Sequence, residues 1–483
     1  MTPESYDRSV TRRILILAAG VGSGHNQAAG AIEAALAGIP DAGEVRRLDI
    51  LETTSGVFNR LYDDAYFALV AEVPWLVGWG YDQQDPPFKL APLVQWWDQL
   101  NTLPLVREIR EYDPELVICT HFLPARMVSL MLARRQLRAT LTVVATDYDF
   151  QGLWLTSPFS HFFVAREETR TYMTQIGVPG DRVSVSGIPV RPDLAQPVDP
   201  GAVRQRFGLH PELPVVLISA GAAGGSYTLQ VVRQVLRCEQ RFQTVVVCGR
   251  NEELKAQVDG LVAGHPDRFR VLGYTTEMAD LMRISCLFVG KPGGLSSSEC
   301  MAAGLPMVLV KPIPGQEVRN ADYLLEEGAA VRCNYPTTVG YKIDGLLADP
   351  ERLSAMAANA RRIGFPHAAR TIAERALSVA VPPLWISRDA QKSISRAGED
   401  GVAADDLEPG SQLRTLCDQE TGDSLAVFTQ AQLEILGVTP LTRTVELDVQ
   451  TVRALRWQPE NLDLAVAGKW LLGEDDVRDF GLG

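Results

Sequence analysis

Two glycine-rich turns, each lying between an apolar run and a helix-like stretch, hold the residues of this chain best suited to chemistry. The first is Gly20-Val21-Gly22-Ser23-Gly24-His25-Asn26. An imidazole has an ordinary pKa of about 6.5, so His25 is suited to taking a proton near neutrality. A histidine in a turn can equally serve only to satisfy nearby backbone groups. The second turn is Lys291-Pro292-Gly293-Gly294-Leu295, which runs into Ser296-Ser297-Ser298-Glu299. The N–H groups at a helix start have no partner within the helix and carry about half a positive charge, so they bind a diphosphate without a metal. Glu299, placed by this reading on the first helical turn, can accept both hydroxyls of a ribose. The plainer alternative is that Ser296 to Ser298 cap a helix and Glu299 completes a capping box. Two more places matter. Asp147 follows an apolar run at 140–146 and is either a proton acceptor, an orienter of His25, or a helix cap. Gln316 and Glu317 set an amide beside a carboxylate, suited to sugar hydroxyls or to a solvated turn.

These residues need rigid elements behind them. Residues 12–19 read as a continuous apolar strand of the kind found in a parallel sheet covered on both faces. A helix from about Gln27 to Leu36 follows, so the chain opens on a strand, glycine turn and helix. Further strands are expected at 115–120, 140–146, 160–164 and 182–186. A Pro-rich junction spans 191–213, after which a second alternating run begins. Its strands are expected at 215–219, 244–248, 269–272, 287–289 and 306–310, with the turn Gly221 to Gly225 after the first. Two successive halves of this kind predict an α/β fold of two facing Rossmann-like domains with a cleft between them. The expected bounds are 1–190 and 191–385, with a helix at 366–380 crossing back. Residues 386–412 read as a polar linker and 413–483 as a small accessory domain of unknown fold, whose role is not readable.

The composition excludes several classes. Of 483 residues, 46% are hydrophobic and 22% charged, an ordinary globular balance. A net charge of -13 argues against a nucleic-acid partner. No apolar run approaches the ~20 residues that span a bilayer. The seven cysteines are scattered with no C-x-x-C, which fits reduced thiols in a cytosol. The run after Arg12-Arg13 stops at Gly20 without a cleavage site, so it reads as a strand and not a leader.

The motifs also carry a resemblance. Leu272-Gly273-Tyr274, Lys291-Pro292-Gly293-Gly294, Ser298-Glu299, Gly304-Leu305-Pro306 and Pro314-Gly315-Gln316-Glu317 with Asn320-Ala321 resemble family 28 glycosyltransferases. The branch is that of monogalactosyldiacylglycerol synthase and the processive diacylglycerol glucosyltransferases. Gly22-Ser23-Gly24-His25-Asn26-Gln27, Thr146-Asp147-Tyr148, Val164-Ala165-Arg166-Glu167-Glu168, Gly187-Ile188-Pro189-Val190-Arg191-Pro192 and Cys248-Gly249-Arg250-Asn251 agree in the same order over about 12–380.

This resemblance implies a GT-B fold and an inverting transfer of a hexose from a UDP-sugar to diacylglycerol or a glycosyl-diacylglycerol. Glu299 would hold the ribose. Gly293, Gly294 and Leu295 would meet the diphosphate, helped by Arg191 and the Gly221 to Gly224 turn. Gln316 and Glu317 would hold the sugar, Tyr274 would border the uracil, and His25 or Asp147 would be the base. Asp147-Tyr148-Asp149 is formally a D-x-D, which in another glycosyltransferase fold binds a metal–nucleotide. Here it lies in the half opposite the donor, and no cofactor or metal is expected. The turn at 219–225 departs from the family's usual tighter double glycine.

Many aromatics crowd 56–100, Trp75 and Trp79 among them, and aromatic side chains favour the membrane–water interface. With Gly24 on the first loop and Arg134 and Arg135 beside an apolar helix at 123–137, they suggest a peripheral enzyme on the inner face of the cell membrane. A core-packed insertion reads the same way. Rival readings are N-acetylglucosaminyl transfer to an undecaprenyl-linked cell-wall precursor, a UDP-sugar epimerase, and a non-catalytic UDP-sugar-binding regulatory protein.

Overall fold

The computed structural model describes residues 12–20, 24–40, 42–53, 86–88, 103–221, 227–419, 421–435 and 443–447. The apolar runs form two all-parallel six-stranded sheets. The first takes β1 (Arg13–Ala18), β2 (Glu44–Asp49), β3 (Leu116–Cys119), β4 (Thr140–Val144), β5 (His161–Val164) and β6 (Val183–Val185) in the order β2-β1-β3-β4-β5-β6. The second takes β7 (Val215–Ser219), β8 (Gln243–Val247), β9 (Phe269–Leu272), β10 (Leu287–Gly290), β11 (Met307–Val310) and β12 (Ala330–Cys333) in the order β12-β11-β10-β7-β8-β9. Burial on both faces explains the unbroken Ile-Leu-Val strings of β1, β7 and β11. The expected two-domain α/β architecture is what the chain adopts.

Each sheet reverses its strand order once, between β1 and β3 in the first and between β7 and β10 in the second. Ligands of open α/β sheets bind outside the carboxyl ends of strands at such reversals. The exits of β1 and β10 carry the two glycine turns.

Two edge strands escaped sequence reading. Strand β2 is Glu-Val-Arg-Arg-Leu-Asp with little full burial, and β12 is Ala-Val-Arg-Cys at the far edge of its sheet. Edge strands bury one side only, so neither shows a long apolar run.

The junction expected at 191–213 is ordered. It holds a short 3-10 turn at Pro192–Ala195 and a helix at Pro200–Arg206, whose N-cap Asp199 accepts from the Gly201 and Ala202 amides. Proline fits the first turn of a helix, where no N–H partner is needed, and Pro192 and Pro200 of this junction start a 3-10 turn and a helix. Helix Ala368–Ser378 returns to the first domain and buries Ala369, Ile372, Ala373 and Ala376 against β1 and helix Gly24–Ala37.

The stretch read as a polar linker also folds. It contributes β13 (Trp385–Ile386) and helix Arg388–Asp400, capped by Ser387 and closed by Gly401 at φ 64°. Only Ala390, Ile394 and Ala397 of its apolar residues are buried, at i, i+4 and i+7. So narrow a stripe among charged residues gives little apolar signal along the chain. With β14 (Leu413–Asp418), β15 (Ser424–Thr429) and β16 (Thr444–Leu447) it builds a four-stranded sheet in the order β13-β15-β14-β16.

This C-terminal unit shares a core with the first domain. Ile386, Ala390, Ile394, Leu413 and Val427 pack in one apolar cluster with Leu141, Trp154, Phe162 and Met173. At the seam Arg182, 1% exposed, donates to the carbonyls of Ser160, Pro382 and Ser424. Its neighbour Asp181 accepts from the Ser424 amide at 3.1 Å and the Ser424 hydroxyl at 2.8 Å. Trp75, Trp79 and nearly all of the aromatic stretch lie outside the described residues, as do Gly224 and residues 448–483.

Candidate active site between the two domains

The helix that leaves the first glycine turn, Gly24–Ala37, meets the helix that leaves the second, Gly294–Ala303. A Cβ built on Gly24 would stand 3.6 Å from the Leu295 side chain, and Ala28 shares an apolar cluster with Leu295. His25 is therefore held near the start of helix Gly294–Ala303.

His25 is partly buried at the exits of β1, β3 and β4. Its Nδ1 lies 3.0 Å from the Thr120 carbonyl and 2.9 Å from the Thr146 hydroxyl. A carbonyl only accepts, so Nδ1 carries the proton and Nε2 is left as the basic nitrogen. Burial lowers the pKa to about 4, against smaller opposing effects of the Thr120 hydrogen bond and the Asp49 charge. The ring is thus neutral at pH 7 and able to accept a proton. His121 stands edge-on to it with ring centres 4.6 Å apart. The His121 Nδ1 caps helix Phe122–Ala133 by accepting from the Leu123 amide at 3.1 Å, and burial holds its pKa well below the usual value. Asp49, at the end of β2, accepts from the Gly20 amide at 3.0 Å and from Asn26 Nδ2 at 2.6 Å, fixing the first loop.

The partners of His25 Nδ1 are the Thr120 carbonyl and the Thr146 hydroxyl, and not Asp147, which the sequence offers as base, orienter or helix cap. Asp147 turns instead to the second domain, where its Oδ1 accepts from the Gln316 amide. It is 5% exposed, and burial raises its pKa to about 6 against the hydrogen bonds from Gln316 and Asn320. Gln316 therefore meets a carboxylate of the other domain where a sugar was expected. The reason is geometric: β4 exits toward the Gln316 helix, and its carboxylate reaches the amide before it reaches the imidazole.

Helix Gly294–Ala303 has Gly293 as its N-cap, and the Ser297 amide donates to the Gly293 carbonyl at 2.9 Å. Glu299 thus lies on the second turn, not the first, and no capping box forms. It is 8% exposed, and burial raises its pKa to about 7, with the Arg191 charge opposing. Arg191 pairs with Asp193 and donates to the Thr276 carbonyl at 2.7 Å, so its guanidinium is held beside Glu299 by its own loop. Glu317 is partly buried and its carboxylate accepts from the Ile313 amide at 2.7 Å. Its pKa is raised by burial, with Lys291 opposing. This closes the loop before Gly315, whose φ of 89° and ψ of -114° suit glycine. Gly293 lies near it, since a Cβ there would be 3.9 Å from Glu317 Oε1. Tyr274 is 63% exposed with the Arg250 guanidinium 5.1 Å from its ring centre, and Gly221 is exposed at φ 74°. Both stand on exits of the second sheet. Arg134 and Arg135 are exposed at the end of helix Phe122–Ala133, away from these exits.

His25, Asp147, Gly294 and Glu299 are legible in the sequence as site residues, Thr146 and Asn320 only as members of motifs, and Thr120, His121 and Asp49 not at all. Asn320 had a signal, since it closes the motif begun by Gln316. A threonine acting by its carbonyl has none. Among the described residues no group of three or more His, Cys, Asp or Glu is placed to hold a metal ion, and no helix is long and apolar enough to cross a membrane.

Two parallel-sheet domains, each with a glycine turn at its strand reversal, define a GT-B architecture. The solved structure of MurG from Acinetobacter baumannii has this fold, at a TM-score of 0.50 and 19% identity over 76% of this chain and 99% of that one. The sequence profile of monogalactosyldiacylglycerol (MGDG) synthase matches residues 25–190, and that of the glycosyltransferase family 28 C-terminal domain matches 215–375. A processive diacylglycerol beta-glucosyltransferase of Bacillus subtilis strain 168 is 31% identical over 55% of this chain and 69% of its own length. One of Bacillus pumilus is 33% identical over 48% of this chain and 60% of its own length. The chain belongs to glycosyltransferase family 28, in the branch of MGDG synthase and the diacylglycerol glucosyltransferases.

Proposed function

We propose that this chain transfers a hexose from a UDP-sugar to the free hydroxyl of diacylglycerol, inverting the anomeric carbon in one displacement. The observation that carries the reading is His25, neutral and with Nε2 as its basic nitrogen, held at the start of the Gly294–Ala303 helix. In this reading the acceptor hydroxyl gives its proton to Nε2 as its oxygen attacks the anomeric carbon. The bond to UDP breaks with its electron pair, and charge builds on the diphosphate. The amides of Gly294 and Leu295, unpartnered within the helix, meet that charge. Glu299 takes the ribose hydroxyls. Glu317 and Gln316 border the hexose, Gln316 exchanging its bond with Asp147 for one to the sugar. Relatives named as diacylglycerol glucosyltransferases support the acceptor and favour glucose over galactose.

The charge on the leaving group is met by main-chain amides, so we propose no metal: activity persists in EDTA, and loss restored by manganese overturns this. Exposed Arg134 and Arg135 support peripheral docking on the inner face of the cell membrane. That docking predicts co-sedimentation with anionic vesicles, weakened by replacing both arginines. Incubation with radiolabelled UDP-glucose or UDP-galactose and diacylglycerol, followed by lipid chromatography, tests the activity. A labelled glycolipid supports it, and label found only on an undecaprenyl-linked acceptor favours the cell-wall alternative.

A further inference from the structure

Helix Gln316–Glu326 turns one stripe toward the first domain. Gln316, Arg319, Asn320 and Tyr323 stand at i, i+3, i+4 and i+7 and so share a face. All four meet the turn after β4 or its neighbour Arg166. The Gln316 amide donates to Asp147, and the Tyr148 N–H donates to Asn320 Oδ1 at 3.1 Å. Arg319 Nη1 lies 3.4 Å from Asp149 Oδ2. The Tyr323 ring centre is 4.7 Å from that of Tyr148 and 4.8 Å from the Arg166 guanidinium. The Tyr148 hydroxyl also shares a 2.9 Å hydrogen bond with Ser298 on the donor-side helix.

The same turn is anchored to its own domain. The Tyr148 carbonyl accepts from the Thr169 hydroxyl at 2.8 Å and from Arg166 Nε at 3.1 Å. Thr146, one residue before the turn, holds the His25 ring. One short segment therefore grips the second domain with three consecutive residues and fixes the imidazole with the residue before them. Of its bonds only the Asp147–Gln316 contact uses a group assigned to the sugar.

We propose that Tyr148-Asp149, which keeps its contacts when Gln316 leaves Asp147 for the sugar, is the latch that holds the two domains together for transfer, and that Asp149 and Arg319 are positioning residues that align His25 with the donor. The inference rests on the reading of His25 as base and of the Gly294 helix as donor site. Neither Asp149 nor Arg319 touches a reacting atom. Their bridge secures the relative placement of domains on which in-line attack depends, and misplacement by about 1 Å can cost ~100-fold.

The test is a double-mutant cycle on the full chain with Asp149→Asn and Arg319→Gln. Each single change is expected to lower kcat about tenfold while leaving KM for the UDP-sugar and calorimetric affinity for UDP within about twofold. Asp149 also pairs with Arg166 at 3.4 Å, so the double variant should lose somewhat more than the worse single but clearly less than the product of the two losses, because the shared bridge is removed once. Arg319→Lys, which keeps the charge, should recover most of kcat. Small-angle X-ray scattering with UDP should show a larger radius of gyration for both single variants than for wild type. Losses that multiply in the double variant, or scattering profiles unchanged while kcat falls, overturn the latch. Failure of the wild type to bind UDP overturns the donor reading separately, since scattering of the unliganded proteins still decides the latch.

Discussion

Gly294, at the start of the donor-side helix, and Thr146, at the exit of β4, touch backbone to backbone across the two domains: a Cβ on Gly294 would sit 2.1 Å from the Thr146 carbonyl oxygen. No real contact is so short, so only glycine permits this approach. Gly294→Ala should leave each domain folded, since alanine favours a helix over glycine by about 1 kcal/mol. It should hold the domains apart and lower kcat/KM on the order of 100-fold. A melting temperature near wild type with that loss is the expected pair of results, and full activity would show that the contact is not used in turnover.

His25→Ala should lower kcat on the order of 100-fold or more, the range of a lost general base. The sign of its pH dependence is fixed by the lowered pKa. The imidazole is neutral, and competent, above about pH 4 and is lost as a base only as pH falls through that value. A limb in kcat/KM near pH 6.5 that persists in both Asp147→Asn and Glu299→Gln would contradict this assignment. A limb near pH 6 that vanishes in Asp147→Asn belongs to Asp147, whose own pKa is about 6.

Glu299 sets stability against binding. Its pKa of about 7 in the folded chain exceeds the ordinary 4.5, so the folded state binds the proton more tightly and loses stability as pH rises between those values. Glu299→Gln should therefore melt near wild type at pH 4.5 and higher than wild type above pH 7. The same change should weaken UDP binding and remove its pH dependence. Wild-type affinity should rise with pH through about 7 as the carboxylate ionises. Calorimetry at pH 6 and 8 on both proteins checks this.

The C-terminal unit should prove part of the first domain. Arg182→Leu removes a buried guanidinium that donates to three carbonyls, and leaving a buried acceptor unpaired costs roughly 1–3 kcal/mol. Its melting temperature should drop by several degrees. Deleting residues 387–483 should expose Trp154 and Phe162 and leave the protein insoluble. A soluble, active truncation would show that the unit is dispensable.

The sequence reading recovered what repeats along the chain and missed what the fold brings together. Strand β7 matches its expected bounds because a buried parallel strand is a run of Val, Ile and Leu. Strand β2 does not, because an edge strand carries Arg46 and Arg47 outward. The helix at 388–400 hid in its own charges, with a stripe only Ala390, Ile394 and Ala397 wide. In the site, Gly294 and His25 were legible because a strand, a glycine turn and a helix announce themselves locally. That Asp147 would turn to Gln316, 169 positions away, was not. Nor was the part of Thr120, which acts through a backbone carbonyl that every residue possesses. Such pairings depend on how two domains meet, and no local spacing records that.

The account depends most on a uridine nucleotide binding between the two domains at the Gly293–Gly294 turn. A crystal grown with UDP measures this directly. The account predicts diphosphate density at the amides of Gly294 and Leu295 and a ribose on Glu299, within reach of His25. Density for UDP anywhere else on the chain would contradict it.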